Sequence, residues 1–477
     1  MLRTLLTCSV AIFIVAPVYA QAIATELSLA DQSPEASTKP AEPKAAEKPN
    51  IVFVLFDDMG WAQPPSYWDK SQLRTPNLDQ LASQGMRFTD AHSASAVCTP
   101  TRYGVLTGRY PMRIGQFGVL TTWSPPIIPA SRLTLPALLK QQGYATACVG
   151  KWHLGLEWEE KSQGQRSPVG AKITVGPNEL GFDYFCGFTH ARNIQAVIEQ
   201  KEVIAHIEPV ESQPLLMDKA LTWLDGQTAD EPFFLYFPMC PPHTPVAPAE
   251  EFIGKGGTDA VGNDPNYGDW VFQGDDMLGQ IMSKLDEKGL ADNTLLIVAA
   301  DNGAERRAYP PLRASKRSIY EGGHRVPFVV RWPDKVTAGT TWEHTVCLND
   351  IFGTVAELLE VELPSDAAED SVSFLPALSG GTSSATRDAT VHQSSRGDLA
   401  IRKADWKLIV HKNGRRELFN LATDARETMD QFTEYPDVAN ALETLLGQYI
   451  KRGRSTPGSE QQNEFDVKLP AQVDDGD

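Results

Sequence analysis

The chain has 477 residues, with 61 Asp and Glu against 43 Lys and Arg, for a formal net charge of −18. That balance argues against nucleic acid as a partner, because a phosphate backbone demands a basic face. The length is ample for a large core and more than one domain. Residues 1–20 carry Arg3, an apolar run from Leu5 to Val18 and the ending Val18-Tyr19-Ala20, the pattern of a secretory signal peptide. The run is shorter than the ~20 apolar residues a spanning helix needs. The sequence therefore predicts an exported protein, periplasmic or secreted, with no membrane insertion. Residues 21–48, rich in Ala, Pro, Glu and Lys without an apolar period, predict a disordered leader.

Ile51 to Phe56 is a continuous apolar run, as expected of a strand buried on both faces, and Asp57-Asp58 follow at once. Next comes Cys98-Thr99-Pro100-Thr101-Arg102, with Leu106-Thr107-Gly108-Arg109 behind it. Thr99 can cap a helix whose first residue is Pro100. Cys98 then sits just ahead of a helix N-terminus, where free N–H groups favour an anion. Arg102 falls in the first turn and offers a planar fork to oxyanion oxygens.

A helical pattern over Leu133–Gln142 precedes a strand over Tyr144–Val149, which runs into Gly150-Lys151-Trp152-His153. Two apart on extended chain, Lys151 and His153 point to one face, a fixed charge beside a titratable base. Helical spacing over Leu215–Leu224 leads into the strand Phe233–Phe237, and Pro241-Pro242-His243-Thr244-Pro245 then holds His243 in a stiff loop. An amphipathic helix over Gly274–Lys288 precedes the strand Leu295–Ala300, ended by Asp301-Asn302-Gly303.

Residues 305–325 form a basic island in an acidic protein: Arg306, Arg307, Arg313, Lys316, Arg317 and Arg325 face only Glu305 and Glu321. Its place directly after Asp301-Asn302 predicts an anion-binding rim centred on Lys316. A strand over Val326–Val330 and a helix over His344–Leu359 complete an alternation that predicts a largely parallel sheet covered on both faces. This α/β domain spans 49–378. After the connector Ser379–Ser384, Leu399–Arg402 and Trp406–Val410 form an antiparallel pattern, with Glu417–Asn420 as a possible third strand and Val438–Ile450 as a closing helix. They predict a small α+β domain over 388–452, then a flexible acidic tail over 455–477. Cys148, Cys186, Cys240 and Cys347 are predicted as small buried hydrophobes without an obligatory disulfide.

Ligands gather at the carboxyl ends of strands in open α/β sheets. If the Ile51 and Leu295 strands lie side by side, Asp57, Asp58, Asp301 and Asn302 converge. Three carboxylates and an amide, with no His or Cys among them, suit Ca²⁺ or Mg²⁺ rather than zinc.

These segments, in this order, resemble the sulfatase family over about residues 49–450, including its C-x-P-x-R signature at Cys98–Arg102 and a second signature at Gly143–Gly155. The resemblance implies an alkaline-phosphatase-like fold, a mostly parallel sheet flanked by helices with a smaller C-terminal α+β domain. It implies that a formylglycine-generating enzyme converts Cys98 to Cα-formylglycine during maturation, whose hydrated aldehyde is the nucleophile. One Ca²⁺ would be held by Asp57, Asp58, Asp301, Asn302 and the oxidised Cys98. Arg102, Lys151 and Lys316 would stabilise the sulfate oxygens, with Asp301 accepting a proton from the hydrated aldehyde. His243 would protonate the departing alcohol, and His153 would take the proton that drives sulfate out. The implied substrate is a sulfate ester on a sulfated oligo- or polysaccharide, with His190, Arg192, His392 and Arg396 as candidate sugar contacts. The family often has an apolar residue where His324 stands. A phosphate or phosphonate monoester hydrolase of the same superfamily and a non-catalytic glycan-binding relative are the competing expectations.

Overall fold

The computed structural model describes residues 48–162, 164, 166–333, 335–380 and 386–473. The predicted signal peptide, the leader up to residue 47, and residues 381–384 of the connector lie outside the described residues. So do the last four residues of the acidic tail.

The apolar run at Ile51 lies within the strand Asn50–Asp57, all of it buried. It has parallel partners on both edges, Phe233–Pro242 and Thr294–Ala300. With sheet on both sides and helices above and below, no face meets solvent, so no polar alternation survives in the sequence. Ala145–Lys151 and Tyr184–Phe188 continue the parallel order beyond Phe233–Pro242. The full sheet has ten strands. Parallel pairing holds at its centre and reverses toward the flanks. Phe328–Arg331 runs antiparallel to Thr294–Ala300, and Ala196–Glu199 and Glu202–His206 close the other side as a hairpin. A link as short as Gln200-Lys201 cannot make the crossover that parallel neighbours need.

Helices cover this sheet. Ser212–Asp225, Tyr267–Glu287 and Asp350–Leu358 each bury one apolar face. The second of these starts seven residues before the amphipathic pattern. Trp270 explains the early start: it is fully buried and its Nε1 donates to the His243 carbonyl at 2.9 Å. The five described cysteines beyond the signal are free and buried. None of the described helices is long and apolar enough to cross a membrane.

The C-terminal sheet has four antiparallel strands in the order Thr390–Gln393, Leu399–Lys403, Trp406–Val410, Arg416–Asn420. That is one more than the sequence pattern suggests. The helix Pro436–Arg452 packs on it. From Lys48 onward the chain forms one compact unit. The segment predicted as a flexible tail instead lies on the body through its described part. Glu464 pairs with the buried Arg109 at 2.6 Å, and the Phe465 N–H donates to the Arg113 carbonyl at 2.9 Å. The buried Arg109 guanidinium already pairs with Glu369 at 3.1 Å, and the tail supplies a second carboxylate.

His392, a predicted sugar contact, belongs to this C-terminal layer rather than to any cavity. It is fully buried and stacks on His324 with ring centroids 4.1 Å apart, and His92 lies beside both. The ring nitrogens bridge donors and acceptors: His324 Nε2 lies 3.1 Å from both Lys407 Nζ and the Ile319 carbonyl, His324 Nδ1 and His92 Nδ1 share one proton across 3.1 Å, and His92 Nε2 lies 3.0 Å from both Asp90 Oδ1 and Arg402 Nη1. Arg402 and Glu321 complete the charged surroundings. Burial comes first in lowering all three imidazoles, which therefore stay neutral.

The consequence for stability has a definite sign. Unfolded imidazoles with the ordinary value of 6.5 take up protons that the folded ones refuse, so stability falls as pH drops below about 6.5. Buried Glu427, pushed up to about 7, acts oppositely and offsets one imidazole. Each imidazole kept neutral by the fold contributes a slope that approaches about 1.4 kcal/mol per pH unit well below pH 6.5, and the buried His153 and His243 add to it. Thermal unfolding between pH 7 and 5.5 should show this slope, and His324→Leu should flatten it. An equally steep variant would mean that these rings are protonated in the folded protein.

Candidate active site

The parallel register brings the candidate residues together. Phe56 is level with Ala300 on one side, and Asp57 with Pro242 on the other. Asp57-Asp58, Asp301-Asn302 and His243 therefore emerge at one edge of three adjacent strands, and Lys151 ends the fourth. Asp58 leaves its strand with φ +69°, a conformation that costs a non-glycine residue energy and re-aims its carboxylate. Its N–H donates to Asp301 Oδ1 at 3.1 Å, which fixes the turn.

Cys98 arrives from the helix Cys98–Thr107, every residue of which is buried. The predicted cap is not formed: the helix starts at Cys98 itself, after Val97. The Thr99 hydroxyl is used elsewhere, donating to the His153 carbonyl at 2.9 Å and accepting from the Leu120 N–H at 3.2 Å. Thr99 thus ties the helix start to the loops carrying His153 and Leu120.

Three carboxylates and three cations interlock around Cys98. Lys151 Nζ donates to Asp57 Oδ2 at 2.6 Å, and Lys316 Nζ to Asp58 Oδ1 and Oδ2 at 2.5 and 2.7 Å. Arg102 grips Asp301 Oδ2 through Nε and Nη2 at 3.0 and 2.7 Å. Cys98 Sγ lies 3.4 Å from Lys316 Nζ and 3.5 Å from Asp57 Oδ1. Burial would raise the Asp58 carboxyl, but Lys316, His243 and Lys151 hold it well below the usual carboxylate range. Burial pushes the Cys98 thiol up, more than the lysines draw it down, so an unmodified Cys98 is a thiol and a poor nucleophile.

These donors include the oxygen set expected for a hard cation. Asn302 Nδ2 donates to Asp58 Oδ1 at 2.8 Å, while Asn302 Oδ1 is buried without a hydrogen-bond partner among the described residues. An orphaned amide oxygen beside three carboxylates fits a cation that takes oxygen ligands. By mutual approach alone, the ligand-capable group is Asp57, Asp58, Cys98 and His243. The oxygen set is the better description for a hard ion, because the His243 ring offers nitrogen and stands at the edge, Nε2 3.7 Å from Asp58 Oδ2.

A cavity of about 560 Å³ opens over Cys98. Lys151, His153, His190, Arg192, His243 and Lys316 all line it. His153 Nε2–H donates to the Leu120 carbonyl at 3.0 Å, leaving Nδ1 an unpartnered acceptor. Burial, reinforced by Lys151, holds this imidazole well below its ordinary value. His243 Nδ1–H is committed to the Thr244 carbonyl at 2.5 Å, so Nε2 is its free atom.

Arg102, His392 and Arg396 do not line the cavity. Arg102 is fully buried behind it, His392 sits in the histidine stack, and Arg396 points to solvent beside Ser395, which does line it. Most of the predicted basic rim is likewise spent within the protein. Arg307 bonds Asp259 at 2.5 Å and stacks 3.6 Å over Tyr267. Arg313 stacks 3.6 Å over Tyr320, and Arg325 donates to the Thr89 carbonyl. Arg306 is exposed beside Glu305. Only Lys316 and Arg317 of the island reach the cavity. Sequence reasoning also missed Thr121, Thr122 and Trp123 on its wall. Nothing in that loop distinguishes it from an ordinary surface turn.

A family model described as Sulfatase matches residues 49–361, and one described as N-sulphoglucosamine sulphohydrolase, C-terminal, matches 314–452. The chain is 31% identical to an N-acetylgalactosamine-6-O-sulfatase of Bacteroides thetaiotaomicron, over 84% of this chain and 93% of that one. It is 32% identical to N-acetylgalactosamine-6-sulfatase of Homo sapiens, over 71% and 67%. A solved chain described under the metabolism of multiple glycosaminoglycans by Bacteroides thetaiotaomicron superposes with a TM-score of 0.75 at 28% identity, covering 84% of this chain and 99% of that one.

Proposed function

The chain belongs to the sulfatase family, hydrolases of sulfate esters, and from that premise we propose that it removes sulfate from sulfated glycans through a formylglycine made from Cys98 and one bound calcium ion. The observation that carries this reading is the position of Cys98 Sγ between Asp57, Asp58 and Lys316 at the floor of a cation-lined cavity. Export and maturation by a formylglycine-generating enzyme belong to the same reading.

Asp57, Asp58, Asp301 and Asn302 would hold the calcium ion, beside residue 98. When present, the formylglycine supplies a geminal diol as a self-regenerating nucleophile, and the ion supplies charge neutralisation. The remaining work falls to the chain's own side chains. Lys151 and Lys316 stay charged and stabilise sulfate oxygens as negative charge shifts among them. His243 Nε2 faces the departing oxygen, and because Nδ1–H is fixed on Thr244 it delivers a proton only as the imidazolium, which burial disfavours, holding the ring at about 4, and which Asp58 favours. His153 Nδ1 is the acceptor placed to take a proton from residue 98. Arg102 serves as a positioning residue. Its fork on Asp301 and its 2.8 Å bond to the Lys151 carbonyl leave it no reach into the cavity.

N-acetylgalactosamine 6-sulfate is the first substrate to test, given the names of the relatives. Free sulfate should be released from it faster than from the 4-sulfate, and faster than phosphate from the matching 6-phosphate. Preferential release of phosphate would move the assignment to a phosphomonoesterase, and failure to release either anion would favour the glycan-binding alternative.

A further inference from the structure

The wall of the cavity has an unusual charge composition for this protein. The chain carries more acids than bases, yet among its described residues the cavity is lined by Lys151, Arg192, Lys316 and Arg317 with no Asp or Glu. Three of those cations are neutralised from behind or beside the wall: Lys151 by Asp57 at 2.6 Å, Lys316 by Asp58 at 2.5 Å, and Arg317 by Glu305 at 2.5 Å. Arg102 and Asp301 cancel in the same way behind it. Arg192 alone has no carboxylate partner among the described residues, and it is exposed to the cavity.

Arg192 is also well placed. It sits in the short turn Ala191–Asn193, whose other members Ala191 and Asn193 are buried. Asn193 Nδ2 donates to Thr189 Oγ1 at 2.9 Å, and the His153 N–H donates to the Thr189 carbonyl at 2.9 Å. His190, in the same turn, bonds Thr122 at 3.1 Å and has its ring 5.7 Å from that of His153. The turn is therefore registered to the catalytic loop, and Arg192 extends the line Lys151, His153, His190 outward. Trp123 offers a partly buried indole on the same cavity, and its Nε1 is already committed to the Gly164 carbonyl. Its ring is available as a platform for the apolar face of a sugar.

A monosulfated sugar brings one negative charge, which the groups around Cys98 receive. Nothing in such a substrate answers Arg192. We propose that Arg192 recognises a second anionic group on the substrate, a sulfate or a carboxylate on the same or the adjoining sugar, which makes this enzyme selective for glycans bearing at least two negative groups within one cavity. This inference rests on the sulfatase reading above and adds the substrate's charge pattern to it. A planar guanidinium takes either anion through paired N–H donors, so the side chain does not itself distinguish them.

The test compares kcat/KM for three substrates: a monosulfated N-acetylgalactosamine, the same sugar with a second sulfate, and the monosulfated sugar joined to a uronate. The wild-type enzyme should favour at least one dianionic substrate by roughly tenfold or more, the value of a charge-assisted hydrogen bond. Arg192→Gln should bring that ratio close to one, and Arg192→Lys should retain part of it. The substrate whose advantage disappears identifies the anion as sulfate or carboxylate. A wild-type ratio near one for both, or a ratio unchanged in Arg192→Gln, overturns the inference while leaving the sulfatase reading intact. If wild-type enzyme releases no sulfate from any of the three, the sulfatase reading itself fails and the inference falls with it.

Discussion

Cys98→Ala should abolish sulfate release, lowering kcat by a factor on the order of 10⁴ or more, while the protein keeps its fold. Removing the nucleophile of a covalent mechanism leaves only what binding and charge stabilisation contribute. The structural cost is small, because alanine gives up one buried atom and no buried charge loses its partner. Lys316 retains both oxygens of Asp58, and Asp57 retains Lys151. A cavity of that size costs about 1 kcal/mol, so unfolding should barely shift. Mass spectrometry of the active enzyme should show the Cys98 peptide lighter by exchange of one sulfur and two hydrogens for one oxygen. Full turnover by protein whose Cys98 is an intact thiol would overturn the mechanism, since burial holds that thiol protonated.

Removal of divalent cations should have the next largest effect. Exhaustive chelation should stop turnover, and Ca²⁺ should restore it. A ligand at about 100 times its Kd stabilises the folded state by about 2.7 kcal/mol, so the thermal midpoint should rise with Ca²⁺ independently of any activity. The informative variant is Asn302→Ala. Asp301→Ala would strip Arg102 of its bidentate carboxylate and leave the fully buried charge only Asp57 Oδ1 at 3.7 Å, shared with Lys151, which costs several kcal/mol and confuses folding with binding. Asn302→Ala removes an oxygen that has no other partner among the described residues, together with the Nδ2 bonds to Asp58 and the Gly303 carbonyl, and leaves no buried charge unpaired because Asp58 keeps Lys316. It should raise the Ca²⁺ concentration needed for both half-maximal activity and half-maximal thermal shift by about tenfold, the worth of one lost ligand oxygen. Turnover and midpoint both indifferent to chelation would show that the lysine-neutralised carboxylates are the working state.

Much of this arrangement was legible in the chain because it is local. A buried parallel strand leaves a continuous apolar run, and whatever polar pair ends it must emerge at the carboxyl edge. Asp57-Asp58, Asp301-Asn302 and the Cys98–Arg102 run therefore announce themselves before any fold is known, as do Lys151, His153 and His243 at their strand ends. Which cations remain free to meet a ligand is a different kind of question. Arg307 is consumed by Asp259, Arg313 by Tyr320 and the Glu427 carbonyl, and Arg102 by Asp301. Arg109 is held by the buried Glu369 and by Glu464 from the predicted tail. His392 was drawn into a stack with His92 and His324, contributed by segments far apart in sequence. Burial and pairing of a charged side chain depend on what the fold brings beside it, often from tens to hundreds of residues away, and no spacing rule encodes that. Thus the chain by itself determined where the chemistry gathers, and the tertiary structure decided which of its charges face the substrate.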